Sequence, residues 1–152
     1  MVATLFLSLF ASAVVVTQTT PAGWKVVKDS KAICQIAVPP DWDLYTESTS
    51  AAVLHDATNA IAVVTSQPGQ EFKPLTEALQ KVLGIRKEKL FENTAKRIFY
   101  QERISKQPED PNAYSVSVPG KAGTCSCHVT VLPSILEETV KKIALSFAPA
   151  EE

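Results

Sequence analysis

Neither sign of charge prevails in this chain: 15 basic residues stand against 16 acidic ones, for a net charge of −1. That balance argues against a nucleic-acid binder driven by bulk charge. Glycine is scarce, at five in 152 residues, and ten prolines punctuate the chain instead, mostly at the ends of apolar runs. Signature motifs are missing too. There is no Gly-x-Ser-x-Gly, no His-Glu-x-x-His, no Walker loop and no dinucleotide fingerprint, so the commonest hydrolase, metalloprotease and nucleotide chemistries have no footing here. No repeat, low-complexity tract or coiled-coil heptad appears. The length suits one domain with a real core.

Charge is also missing locally. Residues 1–24 carry none, and Val2 to Val16 is apolar apart from Thr4, Ser8 and Ser12. A run of that length fits a signal-peptide h-region, since a membrane span needs about 20 apolar residues. The basic n-region of such a signal is absent. Ala11-Ser12-Ala13 resembles an A-x-A cleavage site, and a cut between Thr17 and Ala22 serves as well. The competing reading is an N-terminal strand or helix buried in the core. No cysteine closely follows the run, which argues against a lipid-anchored lipoprotein. The expectation is a signal peptide over residues 1–22, export to the periplasm or beyond, and one domain over residues 24–149. Membrane contact is then expected only through an uncleaved N-terminus.

What the chain does have is clearest in its C-terminal third. Tyr114-Ser115-Val116-Ser117-Val118 alternates with period two, the mark of a strand with one buried face. The breaker-rich loop Pro119-Gly120-Lys121-Ala122-Gly123 leads to a return strand, Thr124 to Leu132. Cys125, Cys127, Val129 and Val131 give that strand an apolar face, and Ser126, His128 and Thr130 a polar one. Pro133 ends it. Ser134 and Glu137 have capping-box spacing, and Leu136, Val140, Ile143 and Phe147 draw a helical stripe that Pro149 stops.

Upstream, Trp24 to Lys28 and Lys31 to Val38 read as strands, and Pro39-Pro40-Asp41-Trp42 as an extended turn. Ala51 to His55 and Asn59 to Ser66 form a hairpin around Asp56-Ala57-Thr58. Ala60 to Val64 is apolar on both faces, as a central strand is. Pro74 suits the first position of a helix whose stripe is Leu75, Leu79, Val82 and Leu83 and whose end is Gly84. Lys89 to Glu92 and Ala95 to Ile104 make a third hairpin, followed by a polar loop from Ser105 to Ala113. The tally predicts an α+β fold: one antiparallel sheet of six or seven strands with two helices packed on it.

This order of elements resembles the PsbP-type α/β/α sandwich, on two short motifs: Val38-Pro39-Pro40-Asp41-Trp42 and the closing Ile143-Ala144-Leu145-Ser146-Phe147. The superfamily includes an extrinsic photosystem subunit, a Ran-binding eukaryotic branch and many exported bacterial proteins. The resemblance covers most of the chain after Gly23. It implies a non-enzymatic, protein-binding scaffold and offers no catalytic residues to carry over. Nothing in the sequence points to photosynthesis.

Three groups of residues invite chemistry. Cys34, Cys125 and Cys127, with His128 and His55 nearby in type, could present soft ligands to copper or zinc. A regular strand, however, turns both C-terminal cysteines to the apolar face and His128 to the other. The structural reading is core cysteines or one disulfide of an oxidising compartment. Cys125 with Cys127 is the poorest pair, because residues two apart in a strand carry nearly parallel Cβ vectors. Cys34 with either Cys125 or Cys127 leaves one thiol over. His128, beside Ser126 and Thr130, is expected to stand free. His55-Asp56 and Asp41-Trp42-Asp43 could suggest acid–base work, but Asp at strand ends is a routine turn residue.

Charge is uneven along the chain. Residues 81–106 hold eight basic against three acidic residues, +5, and the remainder sums to −6. Arg86, Lys87, Lys89, Lys96, Arg97 and Arg103 are the candidate patch for an anionic partner: lipid, glycan or an acidic protein. The competing reading is a hairpin whose charges protect a sheet edge. Taken together, the sequence predicts an exported, non-catalytic accessory or protein-binding domain with no cofactor, no metal and no nucleic-acid partner. The alternative is a thiol-redox or soft-metal-handling protein using Cys34, Cys125 and Cys127.

Overall fold

The computed structural model describes residues 20–29, 31, 33–46, 50–56, 59–103, 112–130 and 136–150. Residues 1–19 of the expected signal peptide, the expected cap Ser134 and most of the expected loop after Ser105 lie outside them. In chain order the elements are β1 (Lys25–Lys28), β2 (Cys34–Val38), β3 (Asp43–Thr46), β4 (Ser50–Asp56), β5 (Asn59–Pro68), α1 (Glu77–Val82), a 3-10 turn (Lys87–Lys89), β6 (Leu90–Asn93), β7 (Ile98–Arg103), β8 (Asn112–Gly120), β9 (Gly123–Thr130), α2 (Glu137–Leu145) and β10 (Ala148–Pro149).

The fold is α+β, but the expected single sheet is corrected to two. A small sheet has the order β1-β2-β10, and a long one of seven strands the order β3-β4-β5-β9-β8-β7-β6, all antiparallel. Pro39 and Pro40 are the reason. Two consecutive residues without N–H donors cannot continue a ladder. The chain turns there, with the Trp42 amide donating to the Pro39 carbonyl at 3.3 Å, and enters the other sheet at β3.

Only one face of the long sheet is covered by the small sheet and α2. Into that layer go Ala62, Val64, Val116, Cys127 and Val129 from the long sheet, Ile36, Val38 and Trp42 from the small sheet and the turn after it, and Val140, Ile143 and Phe147 from α2 and its end, all at most 2% exposed. The two short motifs meet here. The Ser146 hydroxyl accepts from the Ala37 amide at 2.9 Å and sits 2.7 Å from the Ile143 carbonyl, fastening the end of α2 to β2. Leu136, expected in the buried stripe, is exposed, because α2 begins only at Glu137 and Leu136 is its extended N-cap residue.

The order of the long sheet fixes what happens between β5 and β6. β5 pairs with β9, yet β6 lies at the far edge, so residues 69–89 must cross to the other side of the sheet. The crossing starts where the Gly69 amide donates to the Ala122 carbonyl (2.7 Å) and the Thr124 hydroxyl to the Gln70 carbonyl (2.9 Å). Gly123 permits it, since a Cβ there would lie 2.1 Å from the Gln67 carbonyl oxygen. It ends where the Asn93 side chain grips both backbone groups of Leu75, accepting from its amide at 2.8 Å and donating to its carbonyl at 2.9 Å.

That grip keeps Leu75 out of the helix. Thr76 caps α1 instead, accepting from the Leu79 amide, and the helix runs only from Glu77 to Val82. Its end is a Schellman motif: the Ile85 amide reaches the Gln80 carbonyl (2.9 Å), the Gly84 amide reaches the Lys81 carbonyl (3.1 Å), and Gly84 has φ +67°. The expected packing of α1 is overturned. No residue of α1 is buried, and Leu79, Val82 and Leu83 are 48%, 81% and 49% exposed.

The strand expected to be central lies between β4 and β9, with Ala62 and Val64 sealed. Val63 is 38% exposed, so an apolar run did not mean burial on both faces. Phe147 is fully buried at the junction of α2 with both sheets. Phe147→Ala is expected to cost about 3 kcal/mol or more, as large core truncations do. Denaturant midpoints test this, and a loss below about 0.5 kcal/mol would mean the site collapses around the missing ring.

Candidate functional site

The cysteines are settled by the two-layer arrangement. Cys34 on β2 and Cys125 on β9 are joined, with Cα atoms 5.8 Å apart and a sequence separation of 91. The bond ties the small sheet to the long one. Cys127, on the same face of β9, is a buried free thiol, and burial pushes its pKa far up. A thiol held protonated is neither a nucleophile nor a metal ligand. Among the described residues no three His, Cys, Asp or Glu side chains are grouped to hold a metal ion. The approach to Cys34 is shaped by Asp29, whose carboxylate accepts from the Ile33 and Cys34 amides at 2.7 and 2.8 Å. Burial alone would raise its pKa, and the hydrogen bonding to the carboxylate taken together, led by the Cys34 amide, outweighs that and lowers it.

On the opposite face of the long sheet, His128 does not stand free. The register sets Ser115 of β8 directly across from it, and Tyr100 of β7 across from Ser115. Glu102, two residues along β7, reaches over to both. Its Oε1 accepts from the Ser115 hydroxyl and lies 3.0 Å from His128 Nδ1, which is 3.1 Å from Ser115 Oγ. The His128 hydrogen bond, with that of Ser115, holds the Glu102 carboxyl below its usual range against the opposing effect of burial. Burial and the nearby Glu102 charge push the Tyr100 hydroxyl up. Beside this cluster, Ser117 and Ser126 hydroxyls meet at 3.0 Å.

Serine, histidine and a carboxylate in mutual contact are the residue types of a hydrolytic triad, but the geometry differs. In a triad the serine and the acid bond opposite nitrogens of the ring, so that the imidazole takes the serine proton. Here both groups meet Nδ1, and the serine proton points to the carboxylate. What the cluster does is orient an imidazole: with Nδ1 engaged, Nε2 is the nitrogen that could exchange a proton or meet a partner. Sequence reading missed Glu102 and Ser115, whose signal was the cross-strand register.

A second buried-edge network lies on the inner face. The Tyr114 hydroxyl donates to Glu137 Oε1, and Gln101 Nε2 is 3.4 Å from the same oxygen. Burial first, then the Glu137 hydrogen bond and charge, push the Tyr114 pKa up. Glu137, expected to close a capping box, is thus spent on anchoring α2 to the sheet. Phe91, at the β6 edge, stacks near Phe99 and Tyr114 at 5.0 and 6.4 Å between centroids, under the Lys141 ammonium at 5.3 Å.

The basic residues do not form one patch. Arg86, Lys87 and Lys89 precede β6, and Lys96 and Arg97 occupy the turn after it. Arg103 closes β7, about 20 Å further along the strand at the usual rise per residue. Arg86 also pairs with Glu88 at 3.3 Å. Five of the six cations therefore bracket β6, the outermost strand, which is four residues long and bulged between Leu90 and Glu92. Short, bulged and charged is how an exposed edge resists pairing. His55 falls in β4, Asp41 in the turn and Asp43 in β3.

No protein-family model and no curated protein matches the chain. A solved crystal structure from Bacteroides thetaiotaomicron VPI-5482 is similar, with 12% identity and a TM-score of 0.51 over 86% of this chain and 50% of that one. The likeness is one of α+β fold alone, and this chain spans half the length of that structure.

Two measurements follow from this geometry. Unreduced native protein is expected to react slowly with a small alkylating reagent and to yield a single labelled cysteine, Cys127, once denatured; fast native labelling would mean the thiol is not sealed. The lowered Glu102 pKa means stability that is present above the usual carboxylate range and lost as pH falls through the folded value. The difference in denaturant midpoint between wild type and Glu102→Gln is therefore expected to shrink on acidification, and a difference that grows would contradict the hydrogen-bonded carboxylate.

Proposed function

We propose that this is an exported, non-catalytic accessory domain of PsbP-like type that binds another protein through the outer face of its long sheet. The observation that carries the reading is a strip of this face, between the buried Ile98 of β7 and the buried Ala113 of β8, where side chains of β5, β7, β8 and β9 reach solvent. Val63 is exposed, and Thr65, Tyr100, Ser115, Ser117, Ser126, His128 and Thr130 are half-exposed along it. Such a surface is rigid, because strands carry it and cross-strand hydrogen bonds fix its side chains. Hydroxyls, one tyrosine and one oriented imidazole make a flat array of donors and acceptors, suited to a partner's polar surface. The disulfide is compatible with an oxidising compartment, which supports export.

The thiol or metal alternative has less support: two of the thiols are consumed in the staple and the third is sealed. Catalysis is disfavoured by the shared Nδ1, which leaves Ser115 without a base. A photo-crosslinking residue placed at Ser126, in cells that make the protein, is expected to trap a discrete partner. The same residue at Lys31, on the β1–β2 turn, is expected to trap none. Added purified wild-type domain should compete the product away, and a Ser117→Trp domain should not. Equal crosslinking from both positions, or none from Ser126, would overturn the proposal.

A further inference from the structure

The one amphipathic element of the described structure that lacks a partner is α1. Its stripe of Leu79, Val82 and Leu83 faces away from the sheet, and Glu77, Ala78, Lys81 and Gly84 around it are exposed as well. The tip is nonetheless held in place. Asn93 grips Leu75, Gln80 Nε2 donates to the same carbonyl at 3.1 Å, and the Schellman turn closes the far end. The tip thus presents three exposed aliphatic side chains on a held turn of chain. An apolar layer that needs no shape complementarity accepts it well.

Charge selects the kind of layer. From Lys81 to Lys89 the chain carries Lys81, Arg86, Lys87 and Lys89 against Glu88 alone, and Glu88 is bound to Arg86. The remaining acidic group on the helix is Glu77, at its first turn, and Glu71 before it is paired with Lys73 at 2.8 Å. Cations beside an exposed aliphatic summit complement an anionic lipid surface: the side chains enter the acyl boundary while the ammonium and guanidinium groups meet headgroup phosphates. We infer that the α1 tip docks this domain on an anionic membrane surface, with Leu79, Val82 and Leu83 as the inserted group and Lys81, Arg86, Lys87 and Lys89 as the headgroup contacts. This goes beyond protein binding by the outer sheet face, and each can fail while the other stands.

The test is co-sedimentation of the full chain with vesicles of phosphatidylcholine, alone or mixed with phosphatidylglycerol. Because the apolar N-terminal run is in the same chain, the readout is the difference between variants of that chain. Wild type is expected to pellet with the mixed vesicles, less so as salt rises. Val82→Asp, at an 81% exposed position that leaves the core intact, is expected to weaken partitioning about tenfold or more. Val26→Asp, a like change at a 49% exposed site on β1, is expected to leave it unchanged. Lys87→Gln with Lys89→Gln should weaken binding and flatten its salt dependence. Val82→Trp should show a blue-shifted emission on the mixed vesicles alone. Three results would overturn the inference: no binding to mixed vesicles, equal binding by wild type and Val82→Asp, or equal binding to neutral vesicles.

Discussion

The constraint on which this structure depends is that one face of the long sheet must be dry and neither of the two elements available to dry it suffices alone. α2 is nine residues long, and its stripe of Val140, Ile143 and Ala144, extended by Phe147, covers part of β8 and β9. β2 contributes the other buried group, Ile36 and Val38, with Trp42 behind them. Both must therefore be held against the sheet together. Ser146 joins them to each other through Ala37, and the disulfide joins β2 to β9. In the chain-entropy account a closure over 91 residues is worth about 4.5 kcal/mol, comparable to the whole stability of a small domain. The bond thus substitutes for core area that a short helix and a three-stranded sheet do not supply.

Much of this was readable from period and punctuation. The alternation in β8 and β9 separated cysteines from His128 correctly, and Pro39 and Pro40 marked the end of β2. What resisted was register. Reading Pro119 to Gly123 as the loop pairs Val118 with Thr124, whereas the structure turns on Lys121 and Ala122 and pairs Val118 with Cys125. In a strand the face alternates at each residue, so a slip of one exchanges inside for outside. With the shorter turn Ser115 comes opposite His128 and Ser117 opposite Ser126; with the longer one Ser115 would have met Cys127. The Ser115–Glu102–His128 cluster was hidden behind that single residue.

Two other misreadings share one cause, which is that local pattern does not say what an element packs against. The stripe on α1 was real, but Asn93 holds both backbone groups of Leu75 outside the helix, and the six-residue helix that remains buries none of its residues. Likewise, strand periodicity cannot assign strands to sheets. Pro39 and Pro40 were visible as a break, and only the three-dimensional pairing shows that the break moves the chain from one sheet to the other.

The separation of faces has a consequence for chemistry. A strand that buries one side and exposes the other sorts its reactive residues by parity. On β9 the odd positions carry sulfur and the even positions carry hydroxyls and imidazole, with the sheet backbone between them. Sulfur is confined to the layer where a thiolate is unfavourable, so it serves cohesion. The imidazole lies where water and partners reach it, but its carboxylate neighbour comes from β7 and its serine from β8, so the cluster exists only when the sheet is paired in this register. Surface chemistry is in that way conditional on the fold, and the fold is conditional on the sulfur beneath it.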